Sequence, residues 1–182
     1  MSRVLLYLIS IVTANVVTAR FMPLEFGMFI VPMGSFFIGA TFIFRDIVQN
    51  KYGRKKTYAF IFLALVFSAV VSYLLGDTLV IVAASALSFL VAETTDTEIY
   101  TRLKLPMAWR VFYSGIVGGL LDSVIFVVVG LSPIGAGFIP WVAVPAAIVG
   151  QVIVKIVMQM IGAALLAQGL VYKEKRLSKM SA

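Results

Sequence analysis

The sequence contains no cysteine and no histidine among its 182 residues. Without cysteine there can be no disulfide framework, no thiol nucleophile and no thiolate metal site. Without histidine the commonest metal ligand and the usual general base are both absent. We therefore expect neither a metal site nor a cofactor.

Common enzyme motifs are absent as well. There is no Walker A sequence, so the chain cannot itself hydrolyse ATP. There is no G-x-S-x-G and no H-E-x-x-H, so intramembrane hydrolysis has no candidate nucleophile or zinc site. Carboxylates could perform acid chemistry, but no group beside them would polarise a substrate. We predict that the protein is not an enzyme.

Charged residues are scarce, at 13% of the chain, whereas 62% of positions are hydrophobic. A soluble domain has about 25% charged and about 45–50% apolar residues. The core of a soluble domain as small as this chain could not bury the excess of apolar residues. These values exclude soluble, disordered and fibrous proteins and predict an integral membrane protein, with the lipid bilayer as partner. The net charge is +7, but the basic residues lie at the ends of apolar runs, as in membrane proteins. We therefore expect no nucleic-acid partner.

The apolar runs have the length of membrane spans. A hydrocarbon core about 30 Å thick requires about 20 apolar residues in a helix. Proline and glycine residues separate the last two runs, and no small-residue cleavage site follows the first, which we interpret as a retained helix. The sequence predicts an all-α polytopic membrane protein, a single transmembrane domain over residues 1–182, with spans at 4–19, 26–44, 57–75, 78–99, 111–130 and 141–168.

Basic residues collect in alternate connections between these spans. They are Lys51, Arg54, Lys55 and Lys56 in the second connection, Arg102, Lys104 and Arg110 in the fourth, and a basic tail at 173–182. The first connection instead holds Arg20 with Glu25, and the third holds Asp77. Because positive charge is retained on the cytoplasmic side, we predict that both termini are cytoplasmic.

Several polar residues lie within the spans, where a charge costs about 2.5–3.5 kcal/mol on insertion scales. Asp122 and Lys155 have similar depths, which favours an ion pair between the fifth and sixth helices. Gln151 and Gln159 share one helix face with Lys155, and Asn15 adds an amide to the first helix. These residues indicate a binding site, although a structural ion pair and interhelical hydrogen bonds would also explain them.

A second polar layer lies nearer the predicted cytoplasmic side. Arg45 and Asp46 close the second span, and Glu93 and Asp96 lie three residues apart in the fourth. Two helices that run in the same direction thus bring acids to a similar depth, which favours a binding site over an incidental arrangement of charges. The alternative for Arg45 and Asp46 is an interfacial cap whose long side chain reaches water.

Small and aromatic residues have simpler interpretations. Close helix packing explains one set better than ligand contact does: Ser35, Gly39, Gly115, Gly118 and Gly119. Interfacial belts suit most members of another set, of which one or two could stack on a planar ligand: Tyr7, Tyr73, Tyr100, Trp109, Tyr113 and Trp141.

Asn15 and four short segments resemble the queuosine-precursor transporters, also called the vitamin-uptake-transporter-like (VUT) family. Besides Asn15 they are F-I-F-R-D-I-V-Q-N-K-Y-G from Phe42, S-F-L-V-A-E-T-T-D-T-E-I-Y from Ser88, G-G-L-L-D-S from Gly118 and G-Q-V-I-V-K from Gly150. The resemblance implies a bacterial inner-membrane importer of 7-deazaguanines such as preQ0, preQ1 or queuine. By matched position it nominates as site residues Asn15, Asp46, Glu93, Asp96, Asp122 and Lys155.

Together these features predict a secondary carrier with a pocket lined by carboxylates and a lysine. Glu93 is the predicted acceptor for the paired N–H donors of a guanine-like edge, and an amide such as Asn15 or Gln151 would bind the neighbouring carbonyl. Proton coupling through Glu93 or Asp96 and a change in the Asp122–Lys155 pair are hypotheses for the cycle. Two alternatives remain: a substrate-capture subunit that works with an ATP-driven module, and a non-transporting structural or pore protein. Small-residue faces would permit a homodimer.

Overall fold

The computed structural model describes residues 2–180, with side chains described as far as Gly169. The fold consists of six α-helices and one short β-hairpin. The helices are α1 (Ser2–Arg20), α2 (Gly34–Tyr52), α3 (Arg54–Leu74), α4 (Leu79–Arg102), α5 (Met107–Ile125) and α6 (Val144–Met180). The antiparallel strands β1 (Leu24–Phe26) and β2 (Phe29–Val31) connect α1 to α2. The basic tail predicted at 173–182 is helical as far as Met180, its side chains and residues 181–182 lying outside the described part.

Five stretches of the described chain are long and apolar enough to cross a membrane. They are Ser2–Arg20, Arg54–Leu74, Leu79–Arg102, Met107–Leu131 and Trp141–Gly169. Each coincides with a predicted span. Large apolar side chains on their outer faces are exposed, among them Phe62, Leu74 and Leu165, as expected for surfaces that contact lipid rather than water.

The second predicted span, 26–44, differs from the structure. Its first part is the hairpin, which turns at Gly27 with φ of +59°, and α2 begins only at Gly34 and continues to Tyr52. The apolar run from Phe26 to Val31 lacks charge and so resembles a helix, but glycine and proline favour a turn there. The helix does not end at Arg45 because that side chain finds partners inside the bundle.

Helix α2 lies at the centre of the bundle, in contact with α1, α3, α4, α5 and α6. Gly34 fits against Thr18 and the Ala14 carbonyl of α1, and Gly39 against Met158 of α6, where a Cβ atom would collide with each neighbour. The small residues of this helix therefore permit close approach on two sides. This position places α2 in contact with all five other helices.

Glycines and prolines separate the elements. Gly53, with φ of +78°, joins α2 to α3, and Gly76, with φ of +95°, forms the turn before α4. The carboxyl end of α5 continues as a π-helical turn over Phe126–Leu131. A loop over residues 132–140 then leads to α6. Pro145 lies in the first turn of α6, where its missing N–H has no helical partner to lose.

The connections alternate between two ends of the bundle. Arg54 of α3 forms an ion pair with Glu98 of α4 at 3.0 Å, which places the second and fourth connections, both rich in basic residues, at one end. We call this the basic end. The hairpin, the α3–α4 turn and the 132–140 loop line one common cavity at the opposite end, which we call the hairpin end.

Candidate functional site

The inner polar layer is centred on one arginine. The Arg45 Nη2 atom lies 2.8 Å from Asp46 Oδ1 and also contacts Asp96 Oδ2, and Nη1 lies 3.5 Å from Glu93 Oε2. All four side chains are fully buried. We call these four residues the Arg45 cluster. Because the side chains are inaccessible to water, the interfacial-cap alternative for Arg45 and Asp46 is wrong.

Further hydrogen bonds fix Arg45 between α2 and α4. Its Nη1 atom donates to the Glu93 carbonyl at 2.8 Å and to Thr97 Oγ1 at 2.6 Å. One turn along α2, Gln49 donates to the Thr97 carbonyl at 3.1 Å and to Thr101 Oγ1 at 2.9 Å. A ladder of polar contacts thus joins the two helices over about three turns near the basic end.

Buried tyrosines complete this layer. Tyr7 of α1 interacts with Glu93 and Arg45, and Tyr100 of α4 stacks under Arg110, whose guanidinium carbon lies 3.9 Å from the ring centre. Both tyrosines are at most 1% exposed. Their predicted place in an interfacial belt is therefore wrong. The prediction holds better for Tyr73, Trp109, Tyr113 and Trp141, all of which are 46–61% exposed.

The second polar layer joins α5 to α6. Lys155 Nζ lies 2.6 Å from Asp122 Oδ2 and donates to Ser123 Oγ at 2.7 Å. Gln151, one turn earlier in α6, accepts a longer hydrogen bond from the same ammonium group at 3.5 Å. The ion pair that the depths of Asp122 and Lys155 predicted is thus present. Lysine and aspartate are both mostly removed from solvent, at 2% and 13% side-chain exposure.

A cavity of about 80 Å³ lies beside this ion pair. Four of the eight predicted binding residues line it: Asn15, Asp122, Gln151 and Lys155. Asn15 donates to the Ser68 carbonyl at 3.1 Å and to its hydroxyl at 2.9 Å. Both hydrogen bonds use the side-chain nitrogen of Asn15 and do not involve its side-chain oxygen.

Two polar atoms in the cavity region are not satisfied by the described chain. Gln151 is 2% exposed, and its Nε2 atom has no hydrogen-bond partner among the described residues. Lys155 contacts Oδ2 of Asp122, and no described residue forms a hydrogen bond with Oδ1 of the same carboxylate. A buried donor without an acceptor costs about 1–3 kcal/mol. A donor and an acceptor are therefore both available to a polar ligand.

A wider space at the hairpin end borders the cavity and shares lining residues with it, among them Asp77 and Phe126. This vestibule has a volume of about 540 Å³ and is mostly apolar, with Phe21, Phe126, Phe138 and Ile139 among its walls. Phe126, in the π-helical turn, lines both spaces. A flat apolar solute could reach the ion pair from this side.

The other predicted binding residues lie outside the cavity. Asp46, Glu93 and Asp96 contact Arg45 instead, so Glu93 is not in place to bind a guanine-like edge in this conformation. Gln159 packs against Gly115 and donates to the Gly39 carbonyl at 3.2 Å, which makes it an interhelical contact. The structure therefore divides the predicted site into a cavity and a separate cluster.

Sequence reasoning missed several cavity residues. Asp77 and the serines Ser72, Ser85 and Ser88 line the cavity, as does Ser35, for which close packing was expected instead. Small hydroxyl residues are common in membrane helices, so they carry little signal. A usable signal was the three-residue spacing of Ser85 and Ser88, which places both on one face of α4. The glycines Gly39, Gly115 and Gly118 are close-packing positions, as predicted.

Comparison with known proteins gives one family match. Residues 69–168, more than half of the chain, match the family described as "Putative vitamin uptake transporter". No curated protein and no solved structure matches the chain. The matched stretch contains α4, α5 and the ion pair with Lys155. With its apolar helices, the chain is a multi-pass membrane protein that belongs to this vitamin uptake transporter family.

Proposed function

We propose that this protein imports 7-deazaguanine precursors of queuosine, such as preQ0, preQ1 or queuine, as a secondary carrier of the bacterial cytoplasmic membrane. Membership of a transporter family supports the general class. The single observation that carries the proposal is the Nε2 atom of Gln151, which has no hydrogen-bond partner among the described residues and belongs to a cavity beside the Asp122–Lys155 pair. Such a cavity within a bundle of apolar helices suits a small polar solute better than catalysis or a structural role.

The cavity offers the hydrogen bonds that a guanine-like ring requires. Such a ring presents adjacent N–H donors and a carbonyl on one edge. The free Oδ1 atom of Asp122 would accept from the donors, and Gln151 Nε2 would donate to the carbonyl. Phe126 at the boundary with the vestibule would cover the flat face of the ring. In this proposal Asp122 takes the role that the sequence suggested for Glu93.

Access supports a carrier cycle. The cavity shares lining residues with the vestibule at the hairpin end, whereas the Arg45 cluster joins α2 to α4 nearer the basic end. At about 80 Å³ the cavity is smaller than the roughly 300–1,000 Å³ of typical ligand pockets, so helices would have to move apart to admit a substrate. In the proposed cycle, the Arg45 cluster closes the cytoplasmic side and separates after substrate has bound.

Three carboxylates around one arginine suggest how separation could be driven. With all groups ionised the Arg45 cluster carries a net charge of −2, which is unfavourable in a buried site. Uptake of a proton by Glu93 or Asp96 would weaken that carboxylate's attraction to Arg45 and allow α2 and α4 to part. We therefore propose protons as the coupling ion.

The proposed orientation has six spans and both termini in the cytoplasm. Helix α2 contains Arg45, Asp46 and Lys51, and its composition is less apolar than that of the other five helices. Its place at the centre of the bundle, where its buried Arg45 and Asp46 form an ion pair, supports its inclusion as a span. The basic end then faces the cytoplasm.

Uptake measurements test this function. Bacteria that cannot synthesise the precursor should accumulate labelled preQ1 when they express the wild-type protein. When compared at equal amounts of protein in the membrane, Asp122→Asn and Glu93→Gln variants should lose most of the uptake, while Glu25→Gln in the exposed hairpin should retain it. Full uptake by Asp122→Asn would overturn the proposed cavity site, and full uptake by Glu93→Gln would overturn proton coupling through Glu93.

Reconstitution separates a carrier from a capture subunit. Purified protein in vesicles, with an imposed proton gradient and no ATP, should move labelled preQ1 across the bilayer. Dependence on an added ATP-driven module would instead identify a capture subunit. Equal passage of adenine and unrelated solutes would identify a pore. A size measurement on the purified protein would test whether the chain forms a homodimer.

A further inference from the structure

Asp77 is a carboxylate that lines both the cavity and the vestibule. It follows the turn at Gly76, where φ is +95°, and its backbone N–H donates to the Ser72 carbonyl at 3.2 Å. The Ser72 hydroxyl donates to Asp77 Oδ2. These contacts hold the side chain at the boundary between the two spaces, on the path that a solute would take to the Asp122–Lys155 pair.

The charges around the cavity do not balance. Two carboxylates, Asp77 and Asp122, line it together with a single cation, Lys155. Lys155 is engaged by Asp122 at 2.6 Å. Across the side chains that the structure describes, no lysine or arginine forms an ion pair with Asp77. The lining thus has an excess negative charge at its outer boundary, and reduced dielectric strengthens its attraction for a cation.

A second observation links this charge to a ligand. Gln151 is 2% exposed, lines the same cavity and has no described acceptor for its Nε2 atom. The cavity therefore requires a hydrogen-bond acceptor from its solute at the inner end. At the outer end the unbalanced carboxylate requires a positive group. A solute that satisfies both has a carbonyl or ring acceptor on one side and a protonated amine on the other.

We propose that Asp77 binds the protonated amine of the substrate and makes the protein selective for amine-bearing 7-deazaguanines. This inference rests on the proposed function. Among the candidate substrates, preQ1 carries an aminomethyl group that is protonated at neutral pH, whereas preQ0 carries an uncharged nitrile at the same ring position. A charge-assisted hydrogen bond to Asp77 would be available to the first compound and not to the second.

Binding of preQ1 and preQ0 to purified Asp77→Asn protein tests the proposal. Asparagine retains one oxygen that can accept from Ser72, removes the charge and replaces the second oxygen with an amide donor. We expect the affinity for preQ1 to fall about tenfold or more, as for loss of a charged hydrogen bond, and the affinity for preQ0 to stay within about twofold of wild type. Glu25→Gln is the matched control, because Glu25 is an exposed carboxylate at the same end that lines neither space.

The outcomes separate this inference from the proposed function. A selective loss of preQ1 supports a role of Asp77 in amine binding. An equal loss of both ligands, or no change in either, would overturn that role while the wild-type protein still binds 7-deazaguanines. Failure of the wild-type protein to bind either compound would overturn the proposed function and the inference with it. A melting-temperature scan of each variant shows whether loss of binding reflects loss of fold.

Discussion

Lys155 Nζ lies 2.6 Å from Asp122 Oδ2, and this contact joins α5 to α6 beside the central cavity. The pair lies where mostly apolar helices exclude water. In such surroundings an isolated charge is strongly unfavourable, so the two residues stabilise each other even if the pair as a whole contributes little. Its stability role and its proposed binding role can be separated by experiment.

We predict that Asp122→Asn and Lys155→Met each destabilise the protein by about 3–5 kcal/mol, because each leaves a buried charge without its partner. The double variant should recover most of that loss, since no buried charge remains. Unfolding in detergent followed by circular dichroism would measure all three. Binding of preQ1 should be lost in the single and double variants alike.

Recovery of binding in the double variant would contradict a direct role for the pair in ligand contact. A loss in the double variant equal to the sum of the two single losses would show that Asp122 and Lys155 contribute independently and not as a pair. The two readouts therefore test different parts of the interpretation.

A second prediction concerns Arg45, whose two terminal nitrogens contact different partners. Nη1 contacts Glu93 and Thr97, and Nη2 contacts Asp46 and Asp96. A lysine ammonium is a compact point charge and cannot contact two sets of partners from separate nitrogens as the planar guanidinium does. We expect Arg45→Lys to lower the melting temperature clearly and to reduce preQ1 uptake.

The matched control for this variant is Arg102→Lys. The Arg102 side chain is 79% exposed, and its contact with Glu98 is 3.5 Å long. Exposed ion pairs contribute about 0–1 kcal/mol, so we expect a shift within the error of the melting measurement. Equal shifts for both variants would show that the geometry of the Arg45 cluster does not matter.

The sequence was sufficient to predict the two polar layers. Charged residues are so costly in lipid that Asp122, Lys155 and Glu93 could be placed in the interior from their depth alone. Depth does not specify which neighbour a side chain meets. Helical period places Glu93 and Asp96 on adjacent faces of α4, but their contact with Arg45 rather than the cavity depends on how α4 is rotated against α2.

The hairpin end was harder to predict from sequence. Phe26 to Val31 is an uncharged apolar run like part of a membrane span, and contacts with α6 stabilise the hairpin that the nearby glycine and proline favour: Gly150 lies against Phe29 and Val31. Asp77 looked like an ordinary loop charge, because nothing in its neighbours along the chain shows that the α3–α4 turn borders a cavity. Such features arise when distant segments pack together.

The absence of cysteine makes the orientation directly testable. We introduce one cysteine at Met28, which is 74% exposed at the tip of the hairpin, or at Lys55 near the start of α3. A membrane-impermeant maleimide should label Met28→Cys in intact spheroplasts and Lys55→Cys only after lysis. The cysteine-free parent protein is the control, and the reverse labelling pattern would invert the proposed orientation.

Close packing at Gly115 gives the last prediction. A Cβ atom there would lie 2.4 Å from Gln159 Cδ, and Gln159 is fully buried and hydrogen-bonded to the Gly39 carbonyl. Gly115→Ala should therefore displace the amide, break that hydrogen bond and destabilise the protein by about 1–3 kcal/mol. Gly169→Ala, where no atom lies within 4 Å, reports the gain in helix propensity alone and should be neutral or slightly stabilising. Equal melting temperatures for the two variants would show that α5 and α6 are not as close at Gly115 as this contact requires.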